Sequence, residues 1–128
     1  MVTVDWVAWT ARAGRALDLT TGASLGDWVG LFAPGGTYED PVNPATTDVG
    51  SIHLLTKATL PDWRSTILSV TGGSTTGAFE WLGEATVGDR RVRMAGCTIV
   101  EVDDDGLVTR WRDYFDMKDF EAQVRSGA

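Results

Sequence analysis

The sequence holds one cysteine, Cys97, and one histidine, His53, in 128 residues. An internal disulfide is therefore excluded, and a zinc site built from sulfur and nitrogen ligands has too few donors. A metal would need an all-carboxylate site, for which there is no motif, so neither a metal nor another cofactor is expected. Cations are also scarce, with 11 Lys and Arg against 18 Asp and Glu and a formal net charge of −7. Phosphate backbones are bound by clustered Lys and Arg, so nucleic acid is not an expected partner. The one dense basic stretch, Asp89-Arg-Arg-Val-Arg93, alternates as on a solvated strand face beside a turn. No apolar run approaches the roughly 20 residues of a membrane span, and no basic segment followed by an apolar one opens the chain. The expected compartment is the cytoplasm, with no membrane partner. Repeats and low-complexity segments are absent.

What is present is ordinary for a globular protein, 43% hydrophobic and 23% charged. The length fits a single domain over residues 1–128, large enough for one substantial core. Six tryptophans in so short a chain are unusual. They imply large aromatic walls, in the core or around a pocket for a bulky apolar ligand.

Val2, Trp6, Trp9, Ala13 and Ala16 recur every three or four residues with Asp5, Arg12 and Arg15 between them, which predicts an amphipathic helix ending before Thr20-Thr21-Gly22. Ser24 is placed to cap a short second helix that buries Leu25, Trp28, Val29, Leu31 and Phe32 and stops at Pro34-Gly35-Gly36. Thr37 to Asp40 reads as a short strand stopped by Pro41, then a loop over 41–50, then a third helix capped by Ser51 and running to about Leu60. After Pro61 the period changes. Trp63–Val70, Thr76–Thr86, Arg91–Val102 and Leu107–Phe115 are four β-rich runs, separated by Gly72-Gly73, Gly88-Asp89 and Asp103-Asp-Asp-Gly106, and so predict an antiparallel meander. A final helix is expected from Met117 to about Val124. Helices followed by long strands is an α+β order, and the economical packing curls a mixed or antiparallel sheet into a cone around the N-terminal helices. Such a cone is a pocket.

Alternation along the last strand puts Leu107, Thr109, Trp111, Asp113 and Phe115 on one face and Val108, Arg110, Arg112 and Tyr114 on the other. Asp113 thus shares a largely apolar face with Trp111 and Phe115, where a carboxylate is costly unless it is hydrogen-bonded or used. The alternative is an Asp113 that only braces the sheet. Tyr38 and Asp40 share a face of the first strand, pointing at a cavity mouth or, for Asp40, serving the Asp-Pro turn. Glu80 faces the cavity only if Phe79 and Trp81, which alternate with it, do not. His53, in the first turn of the third helix, lines the rim or is exposed.

Three stretches carry a likeness along nearly the whole chain: Phe32-Ala-Pro-Gly-Gly-Thr-Tyr-Glu-Asp-Pro-Val42, Phe79-Glu-Trp-Leu-Gly-Glu-Ala85 and Gly106-Leu-Val-Thr-Arg-Trp-Arg-Asp-Tyr-Phe-Asp116. With them the chain resembles the SnoaL-like and limonene-epoxide-hydrolase-like enzymes of the nuclear transport factor 2 superfold, and the first stretch is also similar to ketosteroid isomerase. The resemblance implies Asp113 as the water-activating base, Trp111 as an aromatic wall, Tyr38 as the residue that holds the water, Asp40 where those hydrolases have Asn, and Glu80 as the proton donor. The arginine that bridges the two acids in those hydrolases has no counterpart, since Ala78 stands in its place. In the isomerase likeness Asp40 falls on the proton-shuttling base, while the oxyanion-hole positions hold Gly14 or its neighbours and Thr98.

Several acids in one apolar cavity cannot all ionise cheaply, so one should stay protonated near neutrality while another is charged. The expected catalytic set is Asp113, Asp40, Glu80 and Tyr38, with Trp111, Trp81, Phe115, Thr98 and His53 against a small apolar, terpene- or polyketide-like substrate. Epoxide hydrolysis by carboxylate-activated water is the first expectation. Isomerase- or cyclase-type proton transfer with Asp40 as base is the second, and a non-catalytic binding or dimerisation module the third. The sheet face bearing Arg91, Arg93, Arg110 and Arg112 is the expected homodimer surface.

Overall fold

The computed structural model describes residues 4–125. Val2, expected in the first helix, lies outside the described residues. The chain runs through α1 (Trp6–Leu17), a single 3-10 turn (Leu19–Thr21), α2 (Leu25–Val29), β1 (Phe32–Glu39), α3 (Val49–Thr59), β2 (Arg64–Gly72), β3 (Thr76–Val87), β4 (Arg90–Val102), β5 (Val108–Phe115) and α4 (Met117–Arg125).

Helix α1 starts because the Asp5 side chain accepts from the Ala8 amide at 3.1 Å, and its three-and-four spacing buries Trp6, Trp9, Thr10, Ala13 and Ala16. A reciprocal capping box between Ser24 and Asp27 starts α2. That helix lasts only five residues and buries Trp28 alone; Leu25 and Val29, expected inside, are each 40% exposed. Helix α3 is capped by Asp48 rather than Ser51, whose amide it receives at 3.3 Å.

The strands form one curved five-stranded sheet in the order β1-β5-β4-β3-β2. From β2 to β5 every neighbour is antiparallel, as the turn glycines predict, while β1 joins β5 in parallel across the whole meander. Strand β1 is longer than expected and passes through Pro34-Gly35-Gly36. An edge strand tolerates this: its register with β5 slips between Phe32 and Thr37, Gly35 takes a φ of 78°, and a Cβ on Gly36 would collide with the Val108 carbonyl. A second irregularity lies in β5, where Val102 pairs with Val108 but Glu101 pairs with Arg110. The extra residue, Thr109, reverses the parity. Val108, expected beside the arginines, is fully buried, and Thr109, expected beside Trp111, is exposed. From Trp111 onward the predicted alternation holds.

Three of the tryptophans, Trp6, Trp63 and Trp81, are seated on glycines. A side chain at Gly72 or Gly77 would overlap the Trp6 ring, one at Gly83 the Trp63 ring, and one at Gly96 the Trp81 ring. On the outer face of the sheet, Arg110 pairs with Glu39 at 3.0 Å and Arg112 with Glu101 at 3.9 Å, while Arg91 reaches Asp62 at 2.9 Å. None of these cations can turn inward without leaving its partner.

Candidate active site

Sheet and helices enclose a cavity of about 480 Å³ lined from all five strands and all four helices. Its walls are mainly Trp28, Trp63, Phe79, Trp81, Trp111 and Phe115, with aliphatic side chains of α1, α3 and α4. The acidic side chains in the lining are Asp40 and Asp113, and no lysine or arginine contributes to it.

The two carboxylates meet at one phenol. Tyr38 Oη lies 2.7 Å from Asp40 Oδ2 and 2.9 Å from Asp113 Oδ2. Strand pairing sets this up: β1 runs parallel beside β5 with Tyr38 opposite Trp111, so Tyr38 and Asp113 project from adjacent strands into the same space. The remaining oxygen of Asp113, Oδ1, accepts from Thr98 Oγ1 at 2.5 Å and from Trp111 Nε1 at 2.8 Å. Trp81 Nε1 in turn donates to Thr98 Oγ1 at 2.8 Å, fixing that hydroxyl so that its proton points at Asp113. Asp40 is held by the Val42 and Asn43 amides at 2.8 and 2.7 Å and by the Asn43 side-chain amide at 3.0 and 3.1 Å.

One phenol proton is shared between two carboxylates, so the site responds to its proton count. Asp113 is the group that takes up a further proton as pH falls towards about 6. Its Oδ1 already has two donors, leaving Oδ2 as the protonation site facing Tyr38. Burial pushes its pKa up from 3.8 to about 6, against the lowering effect of the Thr98, Tyr38 and Trp111 hydrogen bonds and with the Asp40 charge adding to the rise. Tyr38 Oη faces both carboxylates as donor, and only below about pH 6, where Asp113 is protonated, does Asp113 donate to Tyr38 while Tyr38 donates to Asp40. Burial and both carboxylates raise the Tyr38 pKa as well, so the phenol relays protons without becoming a phenolate. Asp113 keeps partial contact with solvent through the cavity, so its proton can exchange.

Glu80, expected as the proton donor, is not in this cavity. Its side chain lies on the outer face of β3 and accepts from Ser69 Oγ at 2.5 Å. Phe79 and Trp81 take the inner face because their rings pack on Trp111 and Trp63 at centroid distances of 5.9 and 5.8 Å, and only one parity can be inward. Glu80→Gln should leave turnover within about twofold and stability within about 0.5 kcal/mol, as for other surface replacements, measured by steady-state assay and thermal melting.

Thr98, Trp81 and Trp111 line the cavity and also hold Asp113 in place, and Phe115 lines the wall. His53 is 7% exposed and faces the cavity rather than solvent. Burial and the nearby Lys57 lower its pKa, opposed by Asp27. The sequence reading missed Asn43, whose amide and side chain clamp Asp40. The Asp-Pro-x-Asn spacing was the available signal, since an Asx turn places just these donors on the aspartate.

The sequence model of the SnoaL-like domain matches residues 6–111. The chain belongs to the SnoaL-like domain family. No curated protein sequence matches this SnoaL-like chain. Among solved structures it is similar to a protein of ketosteroid isomerase-like fold from Catenulispora acidiphila, solved in complex with trimethylamine: 17% identity, 95% of this chain and 93% of that one, TM-score 0.81. It is similar to a putative SnoaL-like polyketide cyclase from Jannaschia sp. at 13% identity, 95% and 92% coverage and TM-score 0.81. It is also similar to an LEH-like epoxide hydrolase from M. tuberculosis at 18% identity, 95% and 93% coverage and TM-score 0.73. At these identities the likeness establishes the fold, the curved α+β cone, and leaves the reaction to be argued from the site. Among the described residues no three or more His, Cys, Asp or Glu side chains are grouped to hold a metal, and no helix is long and apolar enough to cross a membrane.

Proposed function

We propose that this SnoaL-like protein is an acid/base enzyme that moves a proton on a small apolar substrate, using the Asp113–Tyr38–Asp40 relay. The observation that carries this reading is the single phenol bridging two carboxylates at the polar part of an aromatic cavity. Such a relay holds a donor and an acceptor at adjacent oxygens and returns to its starting state by passing one proton through Tyr38. That suits proton transfer at carbon, of the isomerase or cyclase type, in which the proton leaves and returns on one side of the substrate.

Opening of an epoxide by water is the second reading. It is favoured by a buried acid of raised pKa beside a clamped carboxylate, which together offer a proton donor and a water-activating base without Glu80. It ranks lower because backside attack puts the activated water and the departing oxygen on opposite sides of the reacting carbon, whereas the two carboxylates here converge on one oxygen. Isotopes separate the two. Incubation of a β,γ-unsaturated cyclic ketone in D2O should place deuterium on carbon if proton transfer is the activity. A terpene epoxide in 18O-labelled water should give a diol with one heavy oxygen if hydrolysis is. Absence of both labels, across substrates the cavity binds, would reject an enzymatic role and favour a binding module.

A further inference from the structure

The cavity is one-signed. Asp40 and Asp113 face it, and no cationic side chain does. Arg91, Arg110 and Arg112 on the outer face are engaged there with Asp62, Glu39 and Glu101. His53 supplies no positive charge either, because burial and Lys57 lower its pKa and outweigh Asp27. His53 lines the cavity without a hydrogen bond to the described residues. Its ring nitrogens are not sealed from the cavity space, so they can hydrogen-bond whatever fills it.

We infer that the cavity selects apolar amines, holding a protonated nitrogen against the Asp40–Tyr38–Asp113 oxygens with the hydrocarbon body between Trp28, Phe79, Trp81 and Trp111, and that it rejects apolar carboxylic acids. An ammonium at that point meets the oxygens of Asp40 and of Asp113, the latter ionised above about pH 6, with Tyr38 still bridging them. Aromatic faces add attraction for the cation, and the low-polarity surroundings strengthen the charge interaction relative to water. A carboxylate ligand meets like charge and loses its hydration with no cation to replace it. The inference deepens the acid/base reading by naming a ligand class for the same oxygens, and it rests on their charge rather than on turnover.

A rigid matched series tests it on the full chain at pH 7.5: 1-adamantylamine, 1-adamantanol and 1-adamantanecarboxylate, followed by calorimetry and tryptophan fluorescence. The amine should bind at least about tenfold tighter than the alcohol, and the alcohol at least about tenfold tighter than the carboxylate, given the cavity's single sign of charge. Asp40→Asn and Asp113→Asn, singly and together, should shrink the amine's advantage towards parity while the alcohol still binds. Equal binding of amine and alcohol overturns the inference, as does preferred binding of the carboxylate, failure of all three to bind, or an amine advantage that survives in the double variant. Loss of the amine preference leaves the acid/base reading standing, because that reading is decided by label transfer. Absence of label transfer leaves the amine preference standing.

Discussion

Asp113→Asn is expected to lower turnover by about 10²–10⁴-fold, the usual contribution of a positioned acid or base, while making the protein more stable above pH 6. The two effects have one cause. Asp113 is surrounded by Trp111, Thr98 and Tyr38, and burial raises its pKa from 3.8 to about 6. Since the folded-state value lies above the unfolded one, the native protein holds this proton more tightly. The contribution of Asp113 to stability is therefore greatest below about pH 4, declines as pH rises towards about 6, and is flat beyond. The rise from 3.8 to about 6 corresponds to roughly 3 kcal/mol, and residual solvent contact through the cavity lowers this to about 1–3 kcal/mol. Asn keeps an acceptor for Thr98 and Trp111 but never ionises, so it escapes the penalty. Melting curves of both proteins at pH 4 and pH 8 check this. The variant should gain several degrees at pH 8, by the scaling of Tm with stability for a domain of this size, and little or nothing at pH 4. Equal shifts at the two pH values, or unimpaired turnover, would remove Asp113 from the role assigned to it.

Trp28→Ala should be the most damaging core substitution, costing about 3–5 kcal/mol, as large-to-small changes of buried aromatics do. Trp28 is 1% exposed, and its ring packs edge-on against Phe32, Trp111 and Tyr38 at centroid distances of 4.8, 5.0 and 5.9 Å. Its indole N–H donates to the Val49 carbonyl at 2.7 Å, tying α2 to the start of α3. Alanine removes the ring and leaves that carbonyl without its donor, an additional penalty of about 1–3 kcal/mol if it stays dry. Against a total of about 5–15 kcal/mol for a typical domain, much of the margin is gone. Trp28→Phe retains most of the packing and loses only the donor, so it should fall between wild type and alanine. Urea unfolding of the three proteins gives the comparison. If the alanine variant lost less than about 1 kcal/mol, Trp28 would not be the support beneath Tyr38 and Trp111 that its contacts describe.

Local period and turn chemistry were the features that the sequence determined on its own. The three-and-four spacing of Trp6, Trp9, Ala13 and Ala16 specified α1, the glycines near residues 72, 88 and 106 specified an antiparallel meander, and alternation from Trp111 to Phe115 put Asp113 on an apolar inner face. Tyr38 and Asp40 were likewise legible as neighbours, because they lie two residues apart on one strand. Tertiary structure decided the rest. Whether Glu80 or Trp81 faced inward depended on which set could pack against Trp63 and Trp111, rings contributed by other strands or by the loop before β2. The parity of Val108 depended on a bulge against β4, and the passage of β1 through Pro34-Gly35-Gly36 depended on its being an edge. The relay itself joins residues 75 apart, Tyr38 and Asp113. Periodicity assigns a side chain to a face, but a pKa and a proton position depend on which other groups reach that side chain through space, and only the assembled sheet brings them there.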